Sequence, residues 1–299
     1  MKTLSTLAEL QELSHPIHWA MGFFDGVHTG HRCIIHSTAT PGALRGVLTF
    51  APHPAAVLAP ERAPLLLTPD AAYKAQLLQE AGADVLLTLP FTRELASTPA
   101  LDFLEQLHSA CPMAGVSVGT NWRFGKGGSG TPELLRQFAA ARGIRTCVHE
   151  LATLGEEIIC STRIRQLIAA GQLDTAAAML GRPFCIPGAV EHGQQLARRL
   201  GFPTANIPIP HGMALPPYGV YAVRCLVGGT TYHGIANLGL RPTVDHTTQP
   251  RLEVHLLHFH GDLYGLRLHT ELLRFLRPEQ RFNSIDELQA QISRDLAML

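Results

Sequence analysis

At 299 residues, with 46% hydrophobic and 16% charged side chains, the chain holds enough apolar material for two modest domains or one large one, which excludes a disordered or low-complexity protein. Its 24 Lys and Arg balance 24 Asp and Glu, so no net field draws in nucleic acid or an anionic membrane, and any anion site must be local. Six widely spaced cysteines without a C-x-x-C pair give neither a zinc nor a disulfide framework, and no uncharged apolar run is long enough to span a bilayer. A cytoplasmic protein with reduced thiols is expected.

The first predicted strand is the apolar run Ile17–Met21. It leads into Gly22-Phe23-Phe24-Asp25-Gly26-Val27-His28-Thr29-Gly30-His31, after which Cys33-Ile34-Ile35 opens a helix. The glycines let the backbone turn sharply and approach a ligand closely. A helix N-terminus offers unpaired N–H groups and a positive dipole end, which suits phosphate. Imidazoles at that end, His28 and His31, can donate to phosphate oxygens as charge builds up in a transition state.

Further apolar runs at 46–50, 84–89, 115–119 and 144–148 alternate with helical patterns over 70–81, 101–110 and 132–141. That alternation predicts a parallel sheet covered on both faces, with ligands at the carboxyl ends of its strands, where His28 and His31 fall. Thr49-Phe50-Ala51-Pro52-His53-Pro54 leaves the second predicted strand at the same edge, and His53 either lines a site or belongs to a rigid proline turn. The stretch from Gly119 to Gly130, with Asn121, Trp122 and Phe124, leaves the fourth; it does not match a P-loop, and its glycine run 127–130 is expected to be mobile. In Ser161-Thr162-Arg163-Ile164-Arg165, Ser161 or Thr162 reads as a helix N-cap. Two arginines in a first helical turn run against the dipole and become reasonable if an anion sits there.

The pattern changes after a last helix at Leu173–Leu180, with Gly181-Arg182-Pro183 as the boundary. Short alternating runs take over from Phe184. Runs 220–227 and 230–235 flank Gly228-Gly229, a two-residue hairpin signal, and runs 252–259 and 266–273 flank a second expected hairpin at 260–265. A small antiparallel barrel follows from this. Ser284-Ile285-Asp286-Glu287 is a capping box, and Ile285, Leu288, Ile292 and Leu296 form the apolar stripe of a closing helix. In Pro203-Thr204-Ala205-Asn206 the hydroxyl and amide lie two residues apart, on one face of an extended segment, where they can converge on a hard cation. The histidines give no transition-metal centre, because His255 and His258 fall on opposite strand faces and His258 with His260 makes only two ligands.

Taken in order, these motifs resemble bacterial bifunctional riboflavin kinase/FAD synthetases over nearly the whole chain. The turn at Gly22–His31 is similar to the G-x-F-D-G-x-H-x-G-H signature of their adenylyltransferase module. Residues 49–54 resemble T-F-x-P-H-P, 119–125 resemble G-x-D-F-R-F-G, and 159–165 resemble I-S-S-T-x-I-R. Leu200–Asn206, Asn237–Thr243 and Arg251–His255 resemble riboflavin kinase.

The resemblance implies an α/β Rossmann-like nucleotidyltransferase domain over 1–181, acting as FMN adenylyltransferase. There Gly22, Phe24, Asp25, Gly26, Gly30, Ser161, Thr162 and Arg165 would bind nucleotide and phosphate. His28 and His31 would be catalytic, and His53, Asn121 and Phe124 would belong to the flavin or nucleotide loops. For 182–299 it implies a small antiparallel β-barrel flavokinase domain with a C-terminal helix. Gly201, Pro203, Asn237 and Arg241 would bind ATP or flavin, Thr204 and Asn206 would hold Mg²⁺, and Glu253 would be the general base.

The implied reactions are riboflavin phosphorylation by ATP to FMN, then adenylylation of FMN by ATP to FAD. No nucleic acid or membrane partner is implied. Asn121 and Cys160 replace the family's aspartate and first serine, which keeps open a riboflavin kinase with a weakened or retargeted adenylyltransferase half. A non-catalytic flavin or nucleotide sensor is the other alternative, and intact His28, His31 and Glu253 argue against it. Ala197 replaces the second glycine of the family's G-x-x-x-G-R.

Overall fold

All five side chains of the strand Ile17–Met21 are buried, as a strand in the middle of a two-sided sheet requires. The computed structural model describes residues 1–192, 202–242 and 248–299. In the first part the strands are β1 (Lys2–Leu4), β2 (Ile17–Met21), β3 (Leu44–Ala51), β4 (Val85–Pro90), β5 (Met113–Gly119) and β6 (Arg145–His149). They form one parallel sheet in the order β1-β4-β3-β2-β5-β6. Helices α1 (Thr29–His36), α2 (Pro54–Leu58), α3 (Ala71–Glu80), α4 (Arg93–Ser97), α5 (Ala100–Ala110) and α6 (Pro132–Ala140) connect them. The chain runs from β2 outward through β3 and β4, then returns to the other side of β2 as β5, so the crevice at the carboxyl ends opens beside β2. The predicted alternation is found. β1 is an addition, too short to be read from a pattern, with Leu4 alone buried.

A two-residue-strand hairpin, β7 (Thr153–Leu154) and β8 (Glu157–Ile158), precedes α7 (Ser161–Ala169) and α8 (Leu173–Leu180). Gly181 ends α8 with φ 73°, the left-handed stop that glycine takes without strain. The chain divides into two compact units between Ser161 and Thr162. The composition changes at Gly181, and α7 and α8 lie between the two marks.

The second unit is an antiparallel barrel of β9 (Phe184–Ala189), β10 (Ala205–Pro208), β11 (Gly219–Val227), β12 (Thr230–Pro242), β13 (Thr248–Leu256) and β14 (Arg267–Arg277), in the order β10-β13-β12-β11-β14-β9. Its ends meet where Gly188 has no side chain, since a Cβ there would lie 2.3 Å from Ile207. A bridge between Glu191 and Asn206 joins them, the Glu191 N–H donating to the Asn206 carbonyl at 2.8 Å.

The Gly228-Gly229 hairpin forms as expected, with both glycines at positive φ and Val227 opposite Thr230. The second expected hairpin does not. β13 has one edge on β12 and the other on β10, so β14 has no edge of β13 to join and pairs instead with β11 and β9. The closing helix α9 (Ile285–Leu296) is capped by Ser284, whose hydroxyl accepts the Glu287 N–H at 3.2 Å. Its stripe is narrower than predicted, because Ile285 is 55% exposed.

Candidate functional site

β2 gives way to a turn with three left-handed residues, Phe24 at φ 56°, Gly26 at 81° and Val27 at 41°. Such conformations cost about 1–3 kcal/mol each away from glycine, so the surroundings must hold them. The buried Asp25 carboxylate does this. Its Oδ1 accepts the Leu67 and Thr68 N–H groups at 2.9 and 3.0 Å, and the Thr68 hydroxyl accepts the Gly26 N–H at 3.0 Å. Asp25 therefore turns its charge inward and shapes the turn. Gly22 leaves room for the Phe24 ring, which a Cβ would approach to 3.0 Å, and Phe24 in turn meets His31 edge-on at 5.2 Å.

His28 caps α1, its Nδ1 accepting the His31 N–H at 3.3 Å. The neutral ring therefore carries its proton on Nε2. The two imidazoles stack with centroids 3.5 Å apart, and a Cβ at Gly30 would stand 3.3 Å from His28 Nδ1. Burial, then the nearby His28 and Lys74 charges, holds His31 well below the usual imidazole range, so it is neutral at physiological pH. Ser161 is the first residue of α7, and its hydroxyl donates to the Asp25 carbonyl at 2.9 Å instead of capping the helix. Arg165 donates to the Thr162 hydroxyl at 3.1 Å.

An aromatic cavity of about 340 Å³ opens at the carboxyl ends of β3, β4 and β5, walled by Phe23, Phe50, Phe91, Trp122 and Phe124, with Arg123 at its lining. His53 meets the Phe23 ring edge-on at 4.4 Å and caps α2, its Nδ1 accepting the Ala55 N–H at 3.0 Å, which is the turn role expected of it. Asn121 is exposed, with its Oδ1 3.0 Å from where a Cβ on Gly119 would be. The 127–130 run, expected to be mobile, is tied down at its flanks. Phe124 and Gly130 exchange backbone hydrogen bonds of 2.8 and 3.2 Å, and the Lys126 N–H donates to the Thr98 carbonyl at 2.8 Å.

In the barrel, strand register assembles the site. Asn206 on β10 stands opposite Glu253 on β13, which stands opposite Asn237 on β12. Directly opposed residues share a face, so the three side chains form one row. Thr204, two residues before Asn206 and just ahead of β10, lines two cavities. One, of about 560 Å³, includes Pro203, Asn206, Phe259 and Tyr264; the other, of about 320 Å³, includes Asn237, Glu253, Leu288 and Ile292. Among the described residues, the buried Asn206 Oδ1 has no hydrogen-bond partner. Gly201 and the stretch holding Ala197 lie outside the described residues, and Arg241 is placed by its backbone, opposite Gln249.

Several supporting residues make contacts that the sequence did not announce. His255 Nδ1 donates to the Pro203 carbonyl at 2.9 Å and so fixes the entry to β10. Asp295, 1% exposed, takes a forked pair from Arg277 at 2.8–3.0 Å and fastens α9 over the smaller cavity. Lys74 reaches the turn after β2, donating to the Phe23 carbonyl. Each contact spans 18 or more residues of chain, beyond any local pattern.

Known proteins divide along the same lines. Residues 10–163 match the FAD synthetase family and residues 180–299 the riboflavin kinase family. The bifunctional riboflavin kinase/FMN adenylyltransferase of Escherichia coli K12 is 40% identical over 283 residues, covering 92% of this chain and 89% of that one. Its counterparts in Listeria monocytogenes and Bacillus subtilis are 34% and 33% identical, each match covering 95% of this chain and 94% of theirs. A solved structure from Streptococcus pneumoniae, described as a macrolide-efflux protein, superposes with a TM-score of 0.86 at 27% identity, over 99% of this chain and 97% of that one. Among the described residues here, no helix is long and apolar enough to cross a membrane.

Proposed function

We infer the activity of this chain from the premise that it belongs to the bifunctional riboflavin kinase/FMN adenylyltransferase family. It phosphorylates riboflavin to FMN with ATP, and adenylylates FMN with a second ATP to give FAD and pyrophosphate. What supports both reactions is that each compact unit has its own cluster of residues suited to phosphate, the stacked His28–His31 pair in one and the Asn206–Glu253–Asn237 row in the other.

For the kinase, riboflavin occupies the cavity beneath α9 and ATP the larger one, with Thr204 between them. Glu253 accepts the proton of the ribityl 5′-hydroxyl as its oxygen attacks the γ-phosphorus and ADP leaves. A carboxylate is an adequate base because proton transfer can be late in a loose transition state. Asn237, Pro203, Gly201 and Arg241 contribute to ligand binding. Thr204 and Asn206 would hold Mg²⁺. A hydroxyl and an amide oxygen suit a hard cation, and the unpartnered Asn206 Oδ1 fits one. Bound there, the metal would neutralise phosphate charge.

For the adenylyltransferase, the aromatic cavity takes the isoalloxazine ring, with His53, Asn121 and Phe124 in its surrounding loops. An FMN phosphate oxygen attacks the α-phosphorus of ATP in line and pyrophosphate leaves, so no enzyme nucleophile is needed. The His28 Nε2–H, His31 and the N-terminus of α1 stabilise the spreading charge. Gly22, Phe24, Asp25, Gly26 and Gly30 set that geometry, and Ser161, Thr162 and Arg165 bind nucleotide phosphates.

The catalytic halves are 1–181 and 182–299, and the enzyme works in the cytoplasm. Incubation with riboflavin, ATP and Mg²⁺, followed by chromatographic separation of flavins, should yield FMN and then FAD. FMN alone would leave only the kinase, and neither product would overturn the reading.

A further inference from the structure

Three elements of the first unit meet at one ammonium group. Lys74 of α3 donates to the Phe23 carbonyl and, at 3.1 Å, to the Thr49 hydroxyl at the end of β3; it also sits 4.2 Å from the centre of the Phe23 ring. Thr49 donates to the same Phe23 carbonyl at 2.9 Å. Phe23 is the piece they share. Its ring walls the aromatic cavity and its backbone is the step before left-handed Phe24. Lys74 therefore touches the cavity wall and the reactive turn together, through one residue.

The charged and titratable groups facing Lys74 from the turn are Asp25, which favours the ammonium form, and His31 with its stacked partner His28. β3 contributes the neutral Thr49 hydroxyl. Burial outweighs Asp25 and pushes Lys74 down to about 8. On losing its proton the group would lose its cation–π contact, and its bond to the Phe23 carbonyl would cease to be charge-assisted.

Resting on the adenylyltransferase reading of this unit, we propose that Lys74 is a positioning residue for FMN: its ammonium clamps Phe23 against β3, so that the flavin wall and the His28–His31 turn are held as one piece while the lysine is charged.

The test is FAD formation from added FMN and ATP by the full-length protein across pH 7–9.5, with FMN formation from riboflavin as the internal control. The KM for FMN should rise roughly tenfold as pH passes through about 8, with kcat changing less. Lys74→Met should show the raised KM at every pH and no transition. Lys74→Arg, whose guanidinium does not titrate, should restore part of the grip and also lack the transition. Thr49→Val removes an acceptor from the ammonium and should move the transition to lower pH. Kinase turnover should be the same in all four proteins.

A wild-type KM that ignores pH in this range, or a transition surviving unchanged in Lys74→Met, would overturn the proposal. If Lys74→Met does not fold, an unshifted transition in Thr49→Val overturns it alone. A wild type that makes FMN but never FAD would instead overturn the adenylyltransferase reading.

Discussion

In the first unit His28 and His31 stand on a turn that leaves its strand through left-handed Phe24, Gly26 and Val27, held from behind by Asp25 and Lys74. In the second, Glu253 stands in the middle of a strand, between Asn206 and Asn237 on its two neighbours. A ladder positions a side chain through many backbone hydrogen bonds, none of which uses that side chain. A strained turn positions its side chains through a few long-range contacts, and some of the side chains are themselves the contacts. Chemistry and stability should therefore separate cleanly in the barrel and poorly in the sheet domain.

The sharpest break between the two is Glu253→Gln. It should lower FMN formation by about 10³-fold, as loss of a general base does, while FAD formation from added FMN and the melting of the barrel stay as they were. A barrel that melts early would mean that Glu253 also supports its strand.

His28→Ala should behave differently. FAD formation should fall by on the order of 10²-fold or more, and because His28 also caps α1, the unit should lose about 1 kcal/mol as well. Urea unfolding alongside turnover would read both, and an activity loss with no stability loss would count against the contrast drawn here.

Acid should divide the halves next. His18 is fully buried in β2 between the Thr40 and Ser117 hydroxyls, at 2.8 and 2.9 Å, and burial lowers it from 6.5 to about 4. Between those values the unfolded chain binds the proton and the folded one does not, so stability falls as pH drops from 6.5 to 4, by about 3 kcal/mol in all. In the barrel, burial pushes Tyr221 to about 12 and Cys225 to about 11, and both stay neutral in acid. Heating at pH 4.5 should thus destroy FAD formation before FMN formation; the reverse order would break the comparison.

The smallest effect is expected from Asp25→Asn. Weakening its bonds to Leu67 and Thr68 should cost about 1–2 kcal/mol, and losing its charge should also move the Lys74 transition below 8. A melting curve and the FMN KM profile check the two parts.

These contrasts also explain what could be read in advance. Parallel strands buried on both faces leave continuous apolar runs, and Gly228-Gly229 states its own turn, so the sheet and the first hairpin were legible. Three-residue β1 was not, and the 260–265 connection looked like a hairpin because local sequence does not say that both edges of β13 are taken. The motif residues were legible as a set, but their division of labour was not. Asp25 looks like a ligand-binding charge until Leu67 and Thr68, more than forty residues away, turn up against it. Lys74 looks like a solvated helix charge, and nothing near it in the sequence announces that Phe23 lies beneath it.

One feature of the barrel bears on its behaviour in a crowded solution. The bridge at Glu191 and Asn206 closes the ends, yet among the described residues β9 and β10 are not laddered together along their outer edges. An open edge is a template on which a strand from another molecule can add. Here β10 is four residues long, and Pro208 in it and Pro187 in β9 have no N–H to offer. An incoming chain finds too few donors to build a ladder on so short and proline-bearing an edge, which guards it against aggregation.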